Sequence, residues 1–295
     1  MPNPSRPRVR VRATAVLAAG AGLILALSAC SPPSVPAGRS PAGSTASPLP
    51  DAHVHGLSVS STTGQVLLAT HDGLFDITTQ PAAKIGPTND LMGFTGGTDH
   101  GVLYASGHPG EGSDLANPLG LIRSTDAGKT WEKISRQGES DFHALTATKS
   151  GIVGFDGALR TSPDGKTWTT AAADFVPAAL AGNPTSDTVL ATTPQGIRRS
   201  TDGGKTWNTV DSAPVVQHAA FASPAEAVGV EPNGTVHVSA DAGATWTQKG
   251  KIQDTVQAVA AVTGAEANPT IWAATASGLV VSTDGGVTFR PADAA

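Results

Sequence analysis

One cysteine, one tyrosine and two methionines in 295 residues remove several chemistries at once. A lone cysteine excludes a disulfide framework, so the fold must rest on its own core, which a chain of this length can bury. Aromatic residues make up only 4% of the chain, which argues against a broad adhesive interface, because binding hot spots favour Trp, Tyr and Arg. Cations are sparse: 19 Lys plus Arg face 24 Asp plus Glu, and four of the arginines fall within the first twelve residues. Without a clustered basic surface, nucleic acid is not an expected partner.

The N-terminus reads as an address. Arg6, Arg8, Arg10 and Arg12 form a basic stretch, Ala13 to Leu27 an apolar run too short to span a bilayer comfortably, and Leu27-Ser28-Ala29 a small-residue cleavage site before Cys30. This resembles the lipobox of bacterial lipoproteins, which implies removal of residues 1–29 and diacylation of Cys30. Two acyl chains give the stable anchoring that one does not. The expected location is the outer face of the cell membrane, extracytoplasmic and lipid-anchored. Cleavage removes four arginines and no acid, leaving 15 Lys plus Arg against 24 acids, a formal charge of −9. Residues 30–50 are rich in Ser, Pro, Ala and Gly, the composition of an unfolded spacer. The folded part is expected over residues 51–292.

That part is repetitive. STDAGKTW (Ser124 to Trp131), SPDGKTW (Ser162 to Trp168), STDGGKTW (Ser200 to Trp207), SADAGATW (Ser239 to Trp246) and STDGGVTF (Ser282 to Phe289) share one pattern, and their aspartates Asp126, Asp164, Asp202, Asp241 and Asp284 are 38, 38, 39 and 43 residues apart. A period near 40 marks units that bury their faces only against one another. Within the pattern, serine and aspartate oxygens accept backbone N–H bonds, glycines take positive φ, and the closing aromatic re-enters the sheet to pack between neighbours. The motif resembles the Asp-box, or BNR repeat, of β-propellers. The box of Asp164 is one residue short, so its turn must differ. The box aspartates are read as structural.

From Asp51 onward short segments rich in Val, Ile, Leu, Thr and Trp are broken by Gly, Asp, Asn and Pro, which predicts an all-β chain. Each unit divides into four strands; in the fourth these are Ala178 to Gly182, Thr188 to Thr192, Gly196 to Ser200 and Thr206 to Val210. Units opening at His55-Gly56-Leu57 and Met92-Gly93-Phe94, then near Asp141, Phe175, Val215 and Thr255, make six. Radial repetition of four-stranded sheets is a β-propeller, six-bladed rather than seven. The last unit is complete through Arg290, so closure is expected by packing of the first and last blades without an exchanged strand.

The start of a blade's first strand and the end of its second share one face, opposite the boxes. His53 and His55 open blade one, His71 ends its second strand, Met92 opens blade two, His108 ends its second strand, and His143 opens blade three. A set of imidazoles with a thioether suits copper, and imidazole alone suits zinc or copper. The expected metal ligands are therefore His53, His55, His71, Met92, His108 and His143 at the channel mouth. The alternative is that these histidines merely hydrogen-bond to water or to Asp51, Asp90 and Asp141. His218 opens blade five one position out of register, and such a slip turns a side chain to the other side of a strand. His100 and His237 lie elsewhere. The only long insertion, ASGHPGEGSDLANPLG between Tyr104 and Leu121, is on the histidine face and carries Glu111 and Asp114.

Asp-box propellers include sialidases, other glycosidases and non-enzymatic domains of the sortilin type. HVHGL (His53 to Leu57), ATHDGLF (Ala69 to Phe75), MGF, YASGHPG (Tyr104 to Gly110) and NPLGLIRSTD (Asn117 to Asp126) resemble a group of bacterial lipoproteins labelled glycosyl-hydrolase-like, a label that rests on fold. A sialidase is not expected: Tyr104 is the only tyrosine, the Arg-Ile-Pro signature is missing, and Arg123, Arg198 and Arg199 lie on third strands beside the boxes. Another glycoside hydrolase would need two carboxylates flanking one bond. Asp51, Asp72, Asp90, Glu111, Asp114 and Asp141 share the histidine face, but no spacing selects a pair. The expectation is a monomeric binding module, with a glycan-hydrolysing enzyme or a scaffold for an exported protein as the alternatives.

Overall fold

The computed structural model describes residues 48–97, 99, 101–264 and 268–292. The proposed signal peptide, Cys30 and His100 lie outside the described residues. Among these residues every element is a strand, and 24 strands form six sheets of four. Blade 1 is β1 (Val54–Val59), β2 (Val66–Thr70), β3 (Gly73–Asp76) and β4 (Ala83–Ile85). Blade 2 is β5 (Asn89–Gly96), β6 (Leu103–Pro109), β7 (Leu121–Ser124) and β8 (Glu132–Ser135), and blade 3 is β9 (Ala144–Thr148), β10 (Gly151–Phe155), β11 (Leu159–Ser162) and β12 (Thr169–Thr170). Blade 4 is β13 (Ala179–Gly182), β14 (Val189–Thr193), β15 (Gly196–Ser200) and β16 (Asn208–Thr209). Blade 5 is β17 (His218–Phe221), β18 (Ala227–Val230), β19 (Thr235–Ser239) and β20 (Thr247–Lys251), and blade 6 is β21 (Val256–Thr263), β22 (Pro269–Thr275), β23 (Gly278–Ser282) and β24 (Arg290–Pro291).

Each sheet is built from four consecutive strands, so the chain is a six-bladed β-propeller closed without strand exchange. The last seam joins Val54, Leu68 and Ile77 of blade 1 to Ala258, Ala274 and Leu279 of blade 6. The strands predicted for the fourth unit are those observed, to within two residues at their ends. The insertion is shorter than its composition suggested, because β6 continues through His108 and Pro109 and leaves residues 110–120 as the loop.

The boxes hold the seams. Trp131 packs in the cluster between blades 1 and 2, Trp168 between 2 and 3, Trp207 between 3 and 4, Trp246 between 4 and 5, and Phe289 between 5 and 6. The box glycines permit this closeness: a Cβ on Gly128 would meet Leu74 of the preceding blade at 2.1 Å, and one on Gly243 would meet Leu190 at 2.6 Å. Blade 1 has no box, and its seam with blade 6 closes on aliphatic side chains with Phe75 and Trp272.

Inside each of the four full-length boxes the serine hydroxyl bonds to the aspartate and accepts the N–H of the glycine four residues on, as Ser200 does with Asp202 (2.8 Å) and Gly204 (2.9 Å). The aspartate accepts the threonine N–H and hydroxyl, at 2.9 and 2.6 Å for Asp202 and Thr206. The short box differs as expected: Asp164 accepts the N–H groups of Lys166 and Thr167, two and three residues on, and Trp168 donates to Ser135 Oγ. All five box carboxyls are held down to about 2. For Asp126 and Asp241 the threonine hydroxyl leads, and for Asp164 the Thr167 N–H; for Asp202 and Asp284 burial pushes upward and is outweighed by the threonine bonds.

The innermost strands enclose a central channel of about 490 Å³, lined largely by small residues such as Ala179, Ala181, Ala219, Ala220 and Ala260, with His55 among the lining side chains.

Candidate functional site: a histidine face across three blades

A repeated β-bulge aims the residues at the channel mouth. In blade 1, Val54 pairs with Thr70 and Gly56 with Ala69, which leaves His55 as an extra residue. In blade 6 the same shift leaves Gln257 extra, and in blade 2 Leu91 and Met92 together face Gly107. In blades 3, 4 and 5 the N–H groups of His143, Ala178 and Gln217 reach the carbonyls of Phe155, Thr192 and Val230, which already face the next residue of the inner strand. Bulges re-aim side chains beside functional sites. Six equivalent positions thus ring the channel mouth: His55, Met92, His143, Ala178, Gln217 and Gln257.

The position two residues earlier carries His53, Asp90 and Asp141 in the first three blades. Together with the ends of β2 and β6 these build a band of histidine and carboxylate. The rings of His53, His55 and His71 have centroids 4.5 to 5.3 Å apart, and a ligand nitrogen from each lies within 4.8 Å of the others. His71 Nδ1 lies 2.7 Å from Asp90 Oδ2 and His55 Nε2 3.4 Å from Asp90 Oδ1. Donation from His71 Nδ1 to Asp90 leaves the lone pair on Nε2, the arrangement by which a carboxylate orients a metal-binding imidazole. His55 Nε2 and Asp90 Oδ1 are buried and have no hydrogen-bond partner.

Burial first, then the neighbouring His71, lowers His55 to about 4, against a smaller upward pull from Asp90. His55 is therefore neutral at physiological pH and keeps a lone pair to offer.

One seam further on, His108 Nε2 lies 3.1 Å and His143 Nδ1 3.4 Å from the same oxygen of Asp141. His108 Nδ1 is 2.6 Å from Asn117 Oδ1 on the 110–120 loop. The Asn117 bond raises the His108 pKa, against some burial, and Asp141 and Asp90 reinforce it. Asp90 and His108 face each other across β5 and β6, so the two groups adjoin.

Five of the six residues expected as ligands thus gather as two sets: His53, His55 and His71, the last two of them against Asp90, and His108 and His143 against Asp141. Met92 takes the bulge position between His55 and His143. His218 is apart from both: its Nε2 bonds to the Val256 carbonyl at 3.1 Å, and burial lowers its pKa. His237 pairs with Glu231 at 2.6 Å. Glu111 and Asp114 are exposed on the 110–120 loop. Arg123, on β7, is paired with Glu132 on β8, away from the histidines. Asn117 was not anticipated as a participant; the signal available was its place in the one long loop on that face.

The BNR/Asp-box repeat model matches residues 122–133 and 198–209, the boxes of Asp126 and Asp202. This chain is an Asp-box β-propeller. The propeller is similar in fold to a GH74 enzyme of Niastella koreensis, with 14% identity, a TM-score of 0.61, and coverage of 81% of this chain and 37% of that one. The GH74 xyloglucanase from Xanthomonas campestris gives 14% identity, a TM-score of 0.61, and coverage of 81% and 38%. The propeller therefore spans less than two fifths of the length of these enzymes. YCF48 bound to D1 peptide is similar over 83% of this chain and 84% of its own, with 18% identity and a TM-score of 0.51. No curated protein matches the sequence. At these identities the Asp-box propeller shares a fold with enzymes and with a peptide-bound protein, and the fold alone selects neither.

Proposed function

We propose that this Asp-box propeller is a lipid-anchored extracytoplasmic module that binds a transition metal, copper or zinc, on its histidine face through His53, His55 and His71. The observation that carries this reading is the convergence of three imidazoles, one neutral and with a buried unpartnered nitrogen, beside a carboxylate that orients another. A tetrahedral ion with bonds of about 2.0–2.1 Å separates its ligand atoms by about 3.3 Å, so small side-chain rotations close the set. Met92 holds the equivalent bulge position on the next blade, and a thioether reaching the set from there would favour copper(I) over zinc. Hydrolysis is disfavoured because the two most buried carboxylates of this face, Asp90 and Asp141, each have two histidine nitrogens within 3.4 Å, which crowd the place a substrate would need.

The test is titration of the full chain with copper and zinc beside His55→Ala and His71→Ala. The expected result is stoichiometric binding by the parent and loss of that ion in both variants. Unchanged binding in the variants would overturn the reading. The scaffold alternative has one observation in its favour, the peptide-bound propeller of matching length, and a partner that co-purifies with a chain binding no metal would establish it.

A further inference from the structure

We propose that the same face holds a second transition-metal site, formed by His108, Asp141 and His143 and best suited to zinc, so that the propeller binds two ions in adjacent seams. This goes beyond the three-histidine site and shares with it the premise that the face is a metal-binding one.

The set is less closed than the first, in which a ligand atom from each residue lies within 4.8 Å of the others. His143 Nδ1 also lies 3.3 Å from the Asp141 backbone carbonyl, so its ring must turn to bind an ion. His108 Nε2 and His143 Nδ1 stand 3.1 and 3.4 Å from Asp141 Oδ2. These are the separations between ligands on a tetrahedron with bonds of about 2.0–2.1 Å. The tautomer also fits. Asn117 Oδ1 accepts from His108 Nδ1 at 2.6 Å, so the neutral ring turns its Nε2 lone pair toward a carboxylate. Two electron pairs facing each other at 3.1 Å require a cation between them or a proton on the ring.

The second oxygen, Asp141 Oδ1, is buried and has no hydrogen-bond partner. A carboxylate oxygen hidden from water and left unpaired is costly unless a charge compensates it. The His108 and His143 side chains are 41% and 59% exposed, which leaves the outer side open for exchange or for a fourth ligand. Two imidazoles and a carboxylate form a borderline-hard set suited to zinc, and the three-imidazole set is the softer of the two.

The arrangement gives the insertion a role. Residues 110–120 bring Asn117 to His108, and such outer partners fix ring orientation and raise affinity.

The experiment is equilibrium dialysis of the full chain against zinc at pH 7.5, with ions counted by mass spectrometry, beside Asp141→Asn, His143→Ala, Asn117→Ala and His71→Ala. Two ions per parent chain are expected, one in Asp141→Asn and His143→Ala, and one, at the other site, in His71→Ala. Asn117→Ala should weaken the second ion by about 10–100-fold without abolishing it. Thermal melting without metal confirms that each variant is folded. A single parental ion lost in His71→Ala and kept in Asp141→Asn overturns the second site and leaves the first. A single ion lost in Asp141→Asn and kept in His71→Ala overturns the first reading and supports the residues assigned here. No bound ion overturns both.

Discussion

Removing one buried hydroxyl should cost different amounts in boxes that look alike in sequence. Ser200, Ser239 and Ser162 are equally buried, at 1, 1 and 2% exposure, so burial does not separate them. Their bonds do. Ser200 Oγ donates to Asp202 at 2.8 Å and accepts the N–H groups of Gly204 at 2.9 Å and Asp202 at 3.3 Å. Ser239 repeats the pattern with Asp241 and Gly243. Ser162, in the box one residue short, makes one bond, 3.2 Å to Asp164. Alanine at Ser200 or Ser239 therefore strands the buried N–H of Gly204 or Gly243, and a buried unsatisfied group costs about 1–3 kcal/mol. Alanine at Ser162 forfeits one long hydrogen bond, worth about 0.5–1.5 kcal/mol net, and strands no buried N–H. In a domain of this size each kcal/mol shifts the midpoint by roughly 2–4 °C. Urea and thermal unfolding of the three single variants measure the difference. Equal losses at all three serines, or losses below about 0.5 kcal/mol at Ser200 and Ser239, would refute the reasoning that the hydroxyl holds the turn.

Acid should unfold the propeller over a defined range. The five box carboxyls are held near 2 in the fold and return to about 3.9 when unfolded, so their contribution is complete above about pH 4 and disappears as pH falls toward 2. His55, lowered to about 4, adds a loss that starts below about pH 6.5, because the unfolded chain takes up that proton first. A melting temperature equal at pH 2.5 and pH 6 would contradict both. At the seam beneath the candidate site, a Cβ on Gly93 would stand 2.1 Å from the Phe142 carbonyl oxygen. Gly93→Ala must push β5 from β9, and a destabilisation of about 1–3 kcal/mol is expected; denaturant titration giving less than about 0.5 kcal/mol would show that the strands part freely.

The fold was legible because its signals are local and repeated. A Ser-x-Asp turn followed by an aromatic specifies a hairpin and a seam contact each time it occurs, and five copies fix the period. Even the defect at Asp164 was readable, since deleting one residue must alter which N–H groups the carboxylate reaches. The histidine face was legible only in outline. His53, His55 and His71 come from two strands of one blade, but their orienting carboxylate, Asp90, belongs to the next blade, and Asn117 arrives from a loop. Which carboxylate meets which imidazole depends on how far each blade rotates against its neighbour. No local pattern encodes that rotation. The partition of the five expected histidine ligands into two groups was invisible for the same reason.

The six-fold repetition also locates function by where it is broken. Every blade places a bulged residue at the channel mouth, and the backbone reason for that bulge is common to all six. In blades 4, 5 and 6 the position holds Ala178, Gln217 and Gln257, side chains that bind no metal or bind it poorly. In blades 1, 2 and 3 it holds His55, Met92 and His143, and the position two residues earlier holds His53, Asp90 and Asp141. Structural need cannot account for this contrast, because the same bulge forms with alanine. Burying titratable groups together costs stability unless a ligand or a complete set of hydrogen bonds compensates, and His55, Asp90 and Asp141 each keep a buried atom without a hydrogen-bond partner. A ring used along only half its circumference, with its polar cost concentrated there, fits a site at the seams of blades 1 to 3 and not a ligand centred on the channel axis.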